Sequence, residues 1–74
     1  MNVTETIYHG LYRSTRTAEV EPTRSSLRVY LLASDYPAWD IPDGRIDELL
    51  TSLTKTGQAD HGWSHFEVSN KPTV

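Results

Sequence analysis

The residues best equipped for chemistry are the three histidines, His9, His61 and His65, with the carboxylate of Asp60 beside one of them. In one continuous extended segment His61 and His65 share a face, and with Asp60 they could offer nitrogen and oxygen ligands to a divalent ion. Gly62 and Trp63 interrupt that set, and its spacing matches no zinc signature. Ser64 beside His65 could be written as nucleophile and base, but neighbours on a strand point to opposite faces and their side chains diverge. Gly10, Gly44, Gly57 and Gly62 are scattered, so no phosphate-cradling loop is encoded. A chain of 74 residues also has little room to enclose a dry pocket of about 300 Å³ or more. The sequence therefore predicts no catalytic residue, no metal site and no cofactor, and a protein that is not an enzyme.

Binding chemistry is better represented. Tyr36, Trp39 and Ile41 stand in "SDYPAWDIPDGR" (34–45), a segment stiffened by Pro37 and Pro42 and rimmed by Asp35, Asp40 and Asp43. Trp39 and Ile41 can fold over the end of a helix and plug a small core, while Tyr36 and the aspartates stay displayed. An aromatic anchor in a charged rim, with prolines lowering the ordering cost, is also how a binding hot spot is built. The candidate protein-binding set is Asp35, Tyr36, Trp39, Asp40, Asp43 and Asp47. A second set, Tyr12, Arg13, Arg16, Arg28 and Tyr30, could stack and clamp single-stranded bases if its tyrosines lay on one sheet face.

Composition narrows the choice between them. The net charge is −3, which gives the chain no overall nucleic-acid signature. The charge is uneven: Arg13, Arg16, Arg24 and Arg28 precede a run of Asp35, Asp40, Asp43, Asp47 and Glu48 that contains only Arg45 as a counter-charge. No cysteine is present, which excludes disulfides and thiolate metal sites and fits a reducing, cytoplasmic setting. "MNVTETIYHG" has neither a basic start nor an apolar run, and no stretch approaches the roughly 20 apolar residues of a membrane span. The expectation is a cytoplasmic protein with no membrane association.

The elements that must position these residues are read from periodicity. Thr4 to Arg13 alternates as a strand, with Gly10 as a bulge or close approach. Ser14 to Pro22 could hold a short second strand through Ala18 and Val20, and "TRSS" reads as a turn. The apolar run Ser26 to Ser34 reads as a central strand. Ile46, Leu49, Leu50 and Leu53 form one stripe of an amphipathic helix, capped by Asp43 or starting earlier at Asp40, and stopped by Gly57. Trp63 to Ser69 is a last strand with Phe66 and Val68 facing the core, and residues 70–74 fray.

The sum is a single small domain over residues 1–74 of α+β class. One helix packs on a mainly antiparallel sheet of three to four strands, in the order β-(β)-β-α-β. The function expected is a non-enzymatic protein-binding module: an adaptor, inhibitor or regulatory subunit whose partner is another protein. By analogy of size and charge, a viral or mobile-element protein acting on a host complex fits. The alternatives are a single-stranded RNA or DNA binder and a self-assembling subunit that forms a homo-oligomer through its strands.

Overall fold

The structure, a computed structural model, describes residues 1–34 and 41–69. It is α+β: β1 (Asn2–His9), β2 (Tyr12–Glu19), α1 (Arg24–Leu32), α2 (Asp43–Thr56), β3 (Gln58–His61) and β4 (Ser64–Ser69). The strands form one sheet in the order β2-β1-β4-β3, and every neighbouring pair is antiparallel. Two hairpins are thus joined through their first and last strands, and both helices are inserted between them.

The chain from Thr4 to Arg13 is not one strand. It reverses at Gly10-Leu11, so His9 stands opposite Tyr12. Gly10 has φ 62° and among the described residues no non-glycine has positive φ, which is the Gly-first turn that suits the right-handed twist of a hairpin. The second hairpin repeats the device at Gly62-Trp63, with Gly62 at φ 59° and His61 opposite Ser64. Trp63 is therefore a turn residue, and "QADH" before it is a strand.

The central strand expected over Ser26 to Ser34 is a helix. Leu27, Tyr30 and Leu31 are its buried residues, spaced i, i+3 and i+4, while Val29 is exposed. The Thr23 hydroxyl accepts the Ser26 amide at 3.2 Å and caps the first turn. A run with apolar residues on both strand faces satisfies the helical template equally well, and the cap decides between them. The second helix follows expectation: Ile46, Leu49 and Leu53 are buried, and Gly57 stops it at φ 81°. Asp43 is not its cap. Pro42 holds that position without a side-chain bond, and Asp43 opens the first turn.

Side chains alternate across the sheet. Val3, Glu5 and Ile7 of β1 and Phe66 of β4 point under the helices, while Thr4, Thr6, Thr15, Thr17 and His65 share the opposite, polar face. The core joins Val3, Val20 and Phe66 to Leu27, Tyr30 and Leu31 of α1, to Ile46, Leu49 and Leu53 of α2, and to Ile41. Each such side chain contributes about 1.5–3 kcal/mol on burial. Val68, expected in the core, packs against it half-buried. Asp35, Tyr36, Trp39 and Asp40, and the tail 70–74, lie outside the described residues.

Replacing the cap, Thr23→Ala, leaves an amide of the first turn of α1 without its partner. The expected cost is about 1 kcal/mol, read as a lower urea midpoint at unchanged slope. No change would mean that water serves that amide as well as the hydroxyl does.

Candidate functional site: the hairpin end of the sheet

Of the expected acidic surface, Asp43 and Asp47 are among the described residues, and both are paired within the fold. Arg24 of α1 grips Asp47 of α2 through Nε (2.9 Å) and Nη2 (2.6 Å) and approaches Asp43 at 3.5 Å. Arg28, one turn further along, pairs with the other oxygen of Asp43. The hydrogen bond from Arg24 holds the Asp47 carboxyl below its usual range and raises the guanidinium in return. The basic first half and acidic second half of the chain meet as an interhelical clasp. Arg45, the counter-charge inside this acidic run, reaches Glu48 of the run and also the Asp60 carbonyl and His61.

The expected tyrosine–arginine face is not assembled. Tyr30 is core, on a helix, and its hydroxyl donates to the Val3 carbonyl at 3.3 Å. Burial raises its pKa, against the nearby Arg16 charge. Arg28 is on the same helix, in the clasp. Arg16 turns under the sheet: its Nε meets Glu5 Oε1 at 2.6 Å, its Nη2 donates to the Tyr30 carbonyl at 2.6 Å, and its guanidinium lies 3.8 Å from the Tyr30 ring centre. Of that set Tyr12 and Arg13 are exposed, at the turn end of β2, while Arg16 and Arg28 are half-buried.

Glu5 was overlooked in the sequence, although its parity with Ile7 places it on the core face of β1. It is 1% exposed. Ser34 Oγ lies 2.9 Å from both carboxylate oxygens and Ser64 Oγ donates at 2.8 Å. With Arg16, these bonds satisfy the charge, and no buried side-chain polar atom among the described residues lacks a partner.

The histidines separate as well. The turn at Gly62-Trp63 breaks the continuous segment that would have put His61 and His65 on one face. His61 stands opposite buried Ser64 and faces Arg45, where burial and then the guanidinium charge lower its pKa. His65 is on the polar face, with Nδ1 2.6 Å from Asp60 and Nε2 3.6 Å from Glu67. The bond to Asp60 raises its pKa. Among the described residues no group of His, Asp and Glu is placed to hold a metal ion.

What the fold does bring together is the end of the sheet where both hairpins turn. The Tyr8 amide donates to the Trp63 carbonyl at 2.9 Å, so the two turns are neighbours. The His9 and Trp63 rings stack at 3.8 Å and 16°, and Arg13 lies over the Tyr8 ring at 5.2 Å. Each turn carries a bulky apolar residue after its glycine. Leu11 is 105% exposed and Trp63 44%, beside Tyr8 at 51% and Tyr12 at 52%. Tight turns normally carry polar residues here, and a cluster of Trp, Tyr and Arg has the composition of an interface hot spot. Leu11 and Trp63 were read as strand residues; Gly-X pairs between alternating runs were the signal that would have put them at turns.

No protein-family model matches the chain, and neither the curated proteins nor the solved structures contain a match.

Two predictions follow from these charges. Arg16→Ala leaves a buried carboxylate without its cation and is expected to cost about 3–5 kcal/mol, measured by urea unfolding; a cost under 1 kcal/mol would show that the two serines suffice. For His65 the folded pKa lies above its ordinary 6.5. Its stabilising effect is then full below about pH 6.5 and fades as pH rises through the folded value. The stability advantage of the wild type over His65→Asn is expected to shrink from pH 6 to pH 8, and a pH-independent difference would refute the Asp60 pairing.

Proposed function

We propose that the protein is a non-enzymatic binding module that engages a partner protein through the hairpin end of its sheet, with Leu11 and Trp63 as anchors and Tyr8, Tyr12 and Arg13 around them. The observation that carries this reading is the exposure of Leu11 and Trp63 on adjacent glycine-set turns. Folding gains nothing from a fully exposed leucine at a turn tip, whereas a partner pocket that desolvates it gains about 1.5–3 kcal/mol. The turns are short and glycine-set, so little conformational freedom is left to lose on binding.

Asp43 and Asp47 of the acidic set lend this reading less support, since they are paired with Arg28 and Arg24. A single-stranded nucleic-acid reading has less behind it, because its Tyr30 is core and its Arg16 is held by Glu5. The cysteine-free composition suits action in the cytoplasm.

Photo-crosslinking tests the assignment in the native host. A photoreactive phenylalanine analogue is placed at position 11 or, as control, at the exposed helix position 54. A discrete protein adduct from position 11, absent at 54 and lost on Trp63→Ala, is the expected result. Adducts of equal yield from both positions, or none from position 11, would overturn it.

A further inference from the structure

β2 is an edge strand, and its free edge is built to take another strand. Met1 and Val20 exchange both main-chain hydrogen bonds, each 2.8 Å. The alternation of an antiparallel ladder then turns the backbone groups of Ala18, Arg16 and Ser14 toward β1 as well. Those of Arg13, Thr15, Thr17 and Glu19 point the other way, and among the described residues no strand pairs with them. The strand lacks the usual protections: it contains no proline, and its register with β1 runs without a bulge. Its one inward charge, Arg16, is consumed by Glu5.

Beside this edge lies an open groove of about 480 Å³ between β2 and α1, lined by Arg16, Ala18, Val20, Val29, Tyr30 and Ala33, among others. Arg24 and Arg28 occupy the flank of α1 that meets α2. Val29 and Ala33 fall on the other flank by helical spacing, and Val29 is 68% exposed.

We propose that the occupant of this edge is a second copy of the chain, paired antiparallel through β2 about a two-fold axis at Arg16. The choice of copy and register rests on complementarity. With Arg16 on the axis, Arg13 stands opposite Glu19 of the second copy and Thr15 opposite its Thr17, and each pairing occurs twice. All of these are edge-pointing residues, so each pair exchanges two main-chain bonds. Sliding by two residues either way sets Arg13 opposite Thr17 or carries it past the end of the strand, and the charge pairing is lost. Thr15 and Thr17 are favourable cross-strand neighbours, as are opposite charges. The helices agree with the same axis. Pairing β2 with β2 about a two-fold perpendicular to the sheet sets the two strands one spacing of about 4.8 Å apart and keeps the α1 helices of both copies on the same face. The two grooves then close on each other, with Val29 and Ala33 of both copies covered. The surface shares Arg13 with the hairpin end but neither anchor, Leu11 nor Trp63, so E19R and T17P test the dimer without touching the residues named for the partner protein.

Sedimentation equilibrium of the full chain from about 1 to 500 μM tests it. The expected result is a monomer–dimer equilibrium in which R13E and E19R each weaken association at least tenfold, while R13E/E19R restores it to within about threefold of wild type. T17P removes an edge-pointing amide and leaves the main-chain bonds to β1, losing only the hydroxyl contact to Thr4, and is expected to abolish the dimer while the circular dichroism spectrum is kept. A monomer across the whole range overturns the proposal, as does a dimer whose affinity ignores both charge reversals.

Discussion

The fold turns on a buried ion pair. Glu5 sits on β1 beneath the helices, and its carboxylate is held by Arg16 from β2, Ser34 just beyond α1 and Ser64 from β4. Taking a carboxylate out of water costs several kcal/mol, so it is tolerated only where every lone pair finds a donor. That requirement fixes the relation of four segments at once. If α1 slid by a turn, Ser34 would leave the carboxylate and Arg16 would lose the Tyr30 carbonyl and ring. An apolar residue at position 5 would pack without specifying any of this. In so small a core, where hydrophobic contacts alone leave many near-equal arrangements, the pair selects one.

A second electrostatic constraint operates between the helices. Arg24 and Arg28 lie one turn apart on α1, and Asp43 and Asp47 one turn apart on α2. The ladders match, and the clasp closes the seam between the two helices. These pairs are half-exposed and individually weak in energy; their consequence is for the surface. Asp43 and Asp47, which look available along the chain, are compensated by Arg24 and Arg28, while bulky apolar residues stay exposed at the hairpin turns and, among the described residues, no strand covers the outer edge of β2.

Local pattern was enough for part of this architecture. The stripe Ile46, Leu49, Leu53 and the stop at Gly57 specify α2 because helical periodicity and a left-handed cap are properties of neighbouring residues. Phe66 and Val68 were legible for the same reason, since alternation sorts a strand's faces without knowledge of its partners. The class, α+β with an antiparallel sheet, follows from those elements. Two places misled. "SLRVYLLAS" satisfies strand and helix templates alike, and Thr23 settles it only when recognised as a cap. Gly10 and Gly62 reverse the chain where alternation alone runs straight on, and with them Leu11 and Trp63 move from strand interior to turn tip.

The sequence by itself determined the size, the lack of disulfides, the class of fold and the position of the second helix, because composition and short-range periodicity act within a few residues. Tertiary structure alone decided which charges meet. Glu5 and Arg16 are 11 residues apart, Glu5 and Ser64 are 59 apart, and Arg24 and Asp47 are 23 apart. Whether a charge is spent inside the fold or offered to a partner depends on contacts made across such separations. The same holds for the meeting of the two turns. Only the pairing of β1 with β4 sets Tyr8 beside Trp63, and only that pairing makes one surface of residues that the chain holds more than fifty positions apart.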